Sequence, residues 1–194
     1  MRSLLLAISL LPLASRLLPA QTLTPSGVGL SLSATIVAGH TTTDISGRSR
    51  HHIGLSPRIE AAFATSPRLA VLAAVHRRQV EVDDFGFDVA SVELGVRYTA
   101  RAGSRWRPFG EVGMARRDFA YGDAIDITAV KLGPWVGIGG QYRPRGHWSA
   151  EAAFNFGALT FDQFRADGVT QNMQTVYTRL TGLRMGGRYW LTAR

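Results

Sequence analysis

His147-Trp148-Ser149, with Glu151 two residues on, places a base, a hydroxyl and a carboxylate in one short stretch. Those are the parts of an activated nucleophile, in which an imidazole takes the proton of a serine hydroxyl. Two larger sets of residues could also do chemistry. Glu60, Glu93, Glu111 and Glu151 recur among the cations Arg58, Arg97, Lys131, Arg184 and Arg188. A second group, Arg48, Arg50, Arg77, Arg78, Arg116, Arg117, Arg165 and Arg179, falls in or beside four stretches rich in Asp, Gly and Thr. Arginine grips phosphate bidentately, so this group is a candidate for binding phosphorylated lipid. His40, His51 and His52 could ligate a metal, but no fixed spacing or carboxylate partner supports a site, and they read as exposed loop histidines. The chain has no Cys, which excludes thiolate chemistry, cysteine-ligated metals and disulfides. No cofactor is expected.

The elements that must position these residues are legible in the patterning. The chain has 194 residues, 45% hydrophobic and 19% charged, with 21 Gly. That composition belongs neither to a disordered chain nor to a bundle of membrane helices. Met1-Arg2-Ser3, the apolar run Leu4 to Leu13 and the small residues up to Ala20 predict a secretory signal peptide over 1–20. The apolar run is too short to span a bilayer as a helix. Residues 21–194 then form one domain, of formal charge +6 once Arg2 and Arg16 are subtracted from +8.

Period 2 dominates that domain. Ile53, Leu55, Pro57, Ile59, Ala61 and Phe63 alternate with His52, Gly54, Ser56, Arg58, Glu60 and Ala62, the pattern of a strand whose two faces meet different surroundings. Seven further segments, of which Arg68 to Gln79 has the least defined register, bring the total to eight strands of about 10 residues. Short connectors alternate with longer ones over 39–52, 77–88, 116–126 and 161–175. The predicted fold is all-β, an eight-stranded antiparallel up-and-down transmembrane barrel.

Which face points inward decides between a soluble and a transmembrane barrel. The polar face carries the nine charges of the Glu-containing set interspersed with Gly and Ser. Small residues beside long charged ones suit a narrow lumen, whereas on a soluble exterior the glycines would only weaken the strands. The aromatics agree. With the N-terminus on the periplasmic side, Phe63, Tyr98, Trp106, Tyr142, Trp148 and Tyr189 gather at one rim, and Phe154, Phe156 and Tyr177 lie toward the other. Two aromatic girdles mark a spanning barrel.

The chain resembles the small eight-stranded outer-membrane barrels, the group of the outer-membrane protein A transmembrane domain and the X- and opacity-type proteins. Carrying the resemblance are the signal segment, Arg107-Pro108-Phe109-Gly110-Glu111-Val112-Gly113, Val136-Gly137-Ile138-Gly139 and the last strand near the C-terminus. The ending departs from the group's terminal aromatic, because Tyr189-Trp190 is followed by Leu191-Thr192-Ala193-Arg194. The resemblance implies a bacterial outer-membrane location, insertion by the barrel-assembly machinery, a plugged lumen and a monomer, with no nucleic-acid partner. Lipid A deacylases of this fold use a His-x-Ser pair and a carboxylate near the outer leaflet, but His147 adjoins a short periplasmic turn, far from that substrate.

The function expected is therefore non-enzymatic. Buried charges need partners, so the nine inward charges are expected to form an ion-pair network that fills the lumen of a barrel that stabilises the envelope or presents its loops. The alternative is a narrow channel for small or apolar solutes, and a lipid A-modifying enzyme is third. The second Arg group is expected to meet lipopolysaccharide phosphates at the outward rim.

Overall fold

The computed structural model describes residues 29–45, 48–82, 85–121, 127–144, 146–166 and 169–191. The expected signal segment lies outside them. Eight strands form one closed sheet: β1 (Gly29–Ile45), β2 (Arg48–Ala64), β3 (Leu69–Val82), β4 (Phe85–Thr99), β5 (Trp106–Tyr121), β6 (Ile127–Tyr142), β7 (Trp148–Ala166) and β8 (Val169–Trp190). Each strand pairs antiparallel with its neighbours in sequence, and β8 closes on β1. Closure leaves no free-standing edge strand, although the β6–β7 ladder is interrupted between Thr128 and Trp135.

The alternation sorts the side chains. On β2, Ile53 is 86% exposed, and Leu55, Ile59 and Phe63 are exposed beside it, while Arg58 and Glu60 are at 1% and 0%. On β8, Leu183 and Met185 face outward and Arg184 and Arg188 are buried. A continuous apolar exterior around a charged interior is the reverse of a soluble protein, and only lipid makes it favourable.

The barrel has a short-turn end and a long-hairpin end. At the short-turn end Trp106 packs against Tyr142 at 4.7 Å between ring centroids, and Trp148 against Tyr189 at 4.8 Å. Tyr98 and Phe63 stand exposed at the same end. The turns there are locally tied. Ser66 Oγ accepts the backbone N–H of Arg68 and of Leu69 between β2 and β3, and Gly146, between β6 and β7, sits at φ 96°, a conformation that a Cβ would strain.

The strands are longer than the alternation predicts, from 14 residues in β3 to 22 in β8. The stretches read as long loops are largely ladder; β1 and β2, for example, remain paired out to Ile45 and Arg48. The physical reason is that apolar alternation marks only the part of a strand that faces lipid. Beyond it, β-branched segments such as Thr41-Thr42-Thr43 keep pairing with water on their outer side. The Arg pairs expected at loop edges consequently lie on strands.

Candidate functional site: the charged interior and the arginine rim

The β3 register positions much of the interior. Leu72 and Ala74 point inward and Val71 and Val75 outward, so both faces are apolar at this level and the sequence shows no contrast. Leu72 is wanted inside because it joins Ala62, Ala115 and Trp135 in a small apolar cluster within the lumen. Trp135 lies across Gly95 and Gly113; a Cβ on either glycine would stand 2.8 Å from its ring. Glycines in these two strands thus make the room for an indole in a narrow barrel.

Toward the short-turn end, four glutamates meet four arginines. Arg97 Nε donates to Glu111 at 2.7 Å, Nη1 to Glu151 at 3.0 Å and Nη2 to Glu60 at 3.2 Å. Arg184 Nη2 reaches both Glu111 oxygens at 3.0 Å. Arg188 pairs with Glu60 and donates Nε to Glu151 at 3.0 Å, while its Nη1 donates to Ser31 Oγ at 2.9 Å. Arg58 donates to Glu60 at 2.5 Å, and its Nε and Nη2 hold Glu93 at 3.1 and 3.0 Å. All eight side chains are buried, and their formal charges cancel. Such a network is tolerable in a low-dielectric interior because each carboxylate is met by more than one donor.

Lys131 is on the inward face too, but farther toward the long hairpins, directly opposite Arg117 in the β5–β6 ladder. The sequence reading missed several inward residues. His76 Nε2 stands 3.2 Å from Glu93, and its Nδ1 is 3.4 Å from Ser56 Oγ. Gln141 donates to Ser149 Oγ at 2.9 Å, and Arg97 also lies over the Phe109 ring at 4.2 Å. Once Leu72 is placed inside, period 2 carries His76 inward as well.

The second arginine group divides. Arg77 and Arg116 face outward, beside Asp88 and Asp118, the latter accepting from Arg116 Nε at 3.1 Å. Arg165 and Arg179 are exposed as well. Arg78 and Arg117, in contrast, are buried inside the barrel. Adjacent residues of a strand point to opposite faces, so Arg78 and Arg117 of the group expected at the outward rim are turned into the lumen instead and cannot meet external phosphates. The side chains of Arg48, Arg50, His51 and His52 lie outside the described residues. Arg179 borders a cleft of about 660 Å³ that Leu132, Pro134, Leu159 and Tyr177 help to line, where the β6–β7 register shifts between Thr128 and Trp135.

The nucleophile candidates are engaged elsewhere. His147 Nδ1 lies 2.9 Å from the Trp190 carbonyl, Ser149 is held by Gln141, and Glu151 belongs to the ion-pair network. Among the described residues no group of three His or acidic side chains is placed to hold a metal.

No protein-family model matches the chain, and no curated protein matches its sequence. Solved structures do. Neisserial surface protein A superposes with a TM-score of 0.65 at 18% identity, over 86% of this chain and 98% of that one. The outer membrane protein OprG of Pseudomonas aeruginosa gives 0.54 at 11%, over 87% and 99%. The attachment invasion locus protein Ail of Yersinia pestis gives 0.52 at 12%, over 83% and 99%. The chain has the fold of an eight-stranded outer-membrane β-barrel. Its apolar exterior and charge-balanced interior suit it to the bacterial outer membrane.

Proposed function

We propose that the protein is a non-enzymatic, monomeric outer-membrane barrel that is closed to solutes, stabilises the envelope and presents its long hairpins to the outside. The observation that carries this reading is the charge-balanced network of Glu60, Glu93, Glu111 and Glu151 with Arg58, Arg97, Arg184 and Arg188. It occupies the short-turn half of the lumen with side chains that have already found their partners, which leaves the outer surface and the hairpins to meet other molecules. Outer-membrane lipid is the first partner, and the barrel-assembly machinery serves insertion. One structurally similar protein is named for attachment and invasion, in keeping with a role for the hairpins.

On the lipid-facing side the reading assigns Arg77, Arg116, Arg165 and Arg179 to lipopolysaccharide phosphates. These four are exposed near the long-hairpin end, and the cleft beside Arg179, where Leu132, Pro134 and Leu159 supply apolar surface, gives an acyl chain a place next to a phosphate contact. Charge-assisted contacts are the stronger hydrogen bonds, at about 1.5–3 kcal/mol each. Barrels purified from the outer membrane are therefore expected to retain lipopolysaccharide. Replacing all four arginines by Lys keeps charge without the bidentate fork and should reduce retention, and replacing them by Gln should nearly abolish it. Equal retention by the three proteins would remove the lipid assignment.

A further inference from the structure

We infer that the long-hairpin half of the lumen holds a binding site for a small oxyanion such as inorganic phosphate or sulfate, built on Arg117, Arg78 and Ser91. It is separate from the exterior arginines and does not depend on their role.

Arg117 is 4% exposed, Arg78 is 7% and Ser91 is 2%. Each is a polar side chain buried by more than nine-tenths, and each has an atom without a partner: Arg117 Nη1, Arg78 Nε and Ser91 Oγ. Among the described residues Arg78 Nη1 donates to the neutral Thr41 Oγ1, at 3.0 Å. Among the described residues no carboxylate is within ion-pair distance of either guanidinium. The balanced network ends at Glu93. Beyond it, the inward positions with described side chains carry Gly, Ala, Ser, Thr, Val, Leu and Phe but no Asp or Glu.

The register brings these groups together. Ser91 pairs with Arg117 across β4–β5, and Arg117 pairs with Lys131 across β5–β6. Arg78 is on β3, opposite Val89, two residues along β4 from Ser91. Its guanidinium fills the space above Gly39 of β1 that any side chain there would occupy. The Arg117 guanidinium reaches toward β7, where a Cβ on Gly157 would stand 3.0 Å from Nη2. Both groups therefore lie across the lumen at neighbouring levels, with Ser91 at the base of one of them.

Glu93 is the carboxylate whose charge reaches both guanidinium groups, but it is already held by Arg58 and His76, and a buried charge that is poorly compensated is strongly unfavourable. An oxyanion corrects this imbalance. It accepts from the free guanidinium N–H of Arg117 and of Arg78, and its charge offsets theirs, while the unpartnered Ser91 hydroxyl adds a polar group to the wall beside Arg117. Tetrahedral oxyanions match the planar fork better than chloride does.

The test uses the refolded full-length barrel in detergent free of lipopolysaccharide. Equilibrium dialysis with labelled inorganic phosphate is run against sodium chloride at equal ionic strength, and unfolding temperature is followed in parallel. The wild type should bind phosphate saturably and unfold at a higher temperature in its presence. Arg117→Gln and Arg78→Gln should each weaken binding about tenfold or more, the loss of one charge-assisted contact. Without phosphate the Gln variants should be no less stable than the wild type, because each removes a buried charge. Arg117→Lys should fold and bind with intermediate strength. The outward control Arg68→Gln/Arg105→Gln, at exposed positions of the short turns that the lipid assignment does not use, should bind like the wild type. Phosphate that does no more than chloride, or undiminished binding by Arg117→Gln and Arg78→Gln, would overturn the proposal. So would lost binding in the outward control, which would place the phosphate on the outside of the barrel.

Discussion

At the scale of single residues, Glu60 shows how the interior is held. It is fully buried and takes contacts from Arg58, Arg97 and Arg188, with Arg184 Nη1 at 3.7 Å. Replacing it by Gln keeps the shape but removes the charge that these guanidinium groups share. Breaking a buried pair costs about 3–5 kcal/mol, so Glu60→Gln should lower the unfolding temperature of the barrel well below that of the wild type. An unchanged temperature would mean that the carboxylate is not a working part of the network. The arginine pairs teach a second lesson at this scale. Arg77-Arg78 and Arg116-Arg117 look like basic patches in the sequence, yet in extended chain each pair is one outward residue and one inward residue. Reading them as loop residues hid that division.

At the scale of elements, the ladder is controlled by close approach as much as by hydrogen bonding. A Cβ on Gly113 would collide with the Leu94 carbonyl of β4 and stand 2.8 Å from the Trp135 ring. Gly113→Val should therefore separate β4 from β5 or eject the indole, at a cost of about 1–3 kcal/mol or more, read as a fall in unfolding temperature and loss of fixed Trp signals in near-ultraviolet circular dichroism. A native spectrum and unchanged stability would contradict the packing described for Trp135. Most of the strand order was legible in the sequence because lipid on one side and charge on the other give a clean period of two, as in β2 and β8. What was not legible has physical causes. In β3 both faces are apolar near Leu72, so His76 and Arg78 could not be placed. Past the lipid band the outer face meets water and the contrast disappears, so the ends of β1, β7 and β8 were read as loops. The inward set Arg58, Glu60, Glu93, Arg97, Glu111, Glu151, Arg184 and Arg188 was legible as one face, but which Arg meets which Glu depends on side chains that reach across the barrel, and no strand pattern encodes that.

At the scale of the whole molecule, the barrel is divided along its axis. The short-turn half holds equal numbers of buried carboxylates and guanidiniums, ringed outside by Trp106, Tyr142, Trp148 and Tyr189. The long-hairpin half carries Arg78 and Arg117, buried and inward, with no inward carboxylate among the described side chains. Toward the short turns the four Glu are already paired with four Arg across the lumen. On the proposed function this network closes the barrel. Single-channel recording of the purified protein in planar bilayers tests it most directly. The wild type should show no steady conductance steps, while Glu60→Gln combined with Glu151→Gln, which leaves Arg97 and Arg188 without two of their counter-charges, should show openings; steady, ohmic steps in the wild type would contradict the claim.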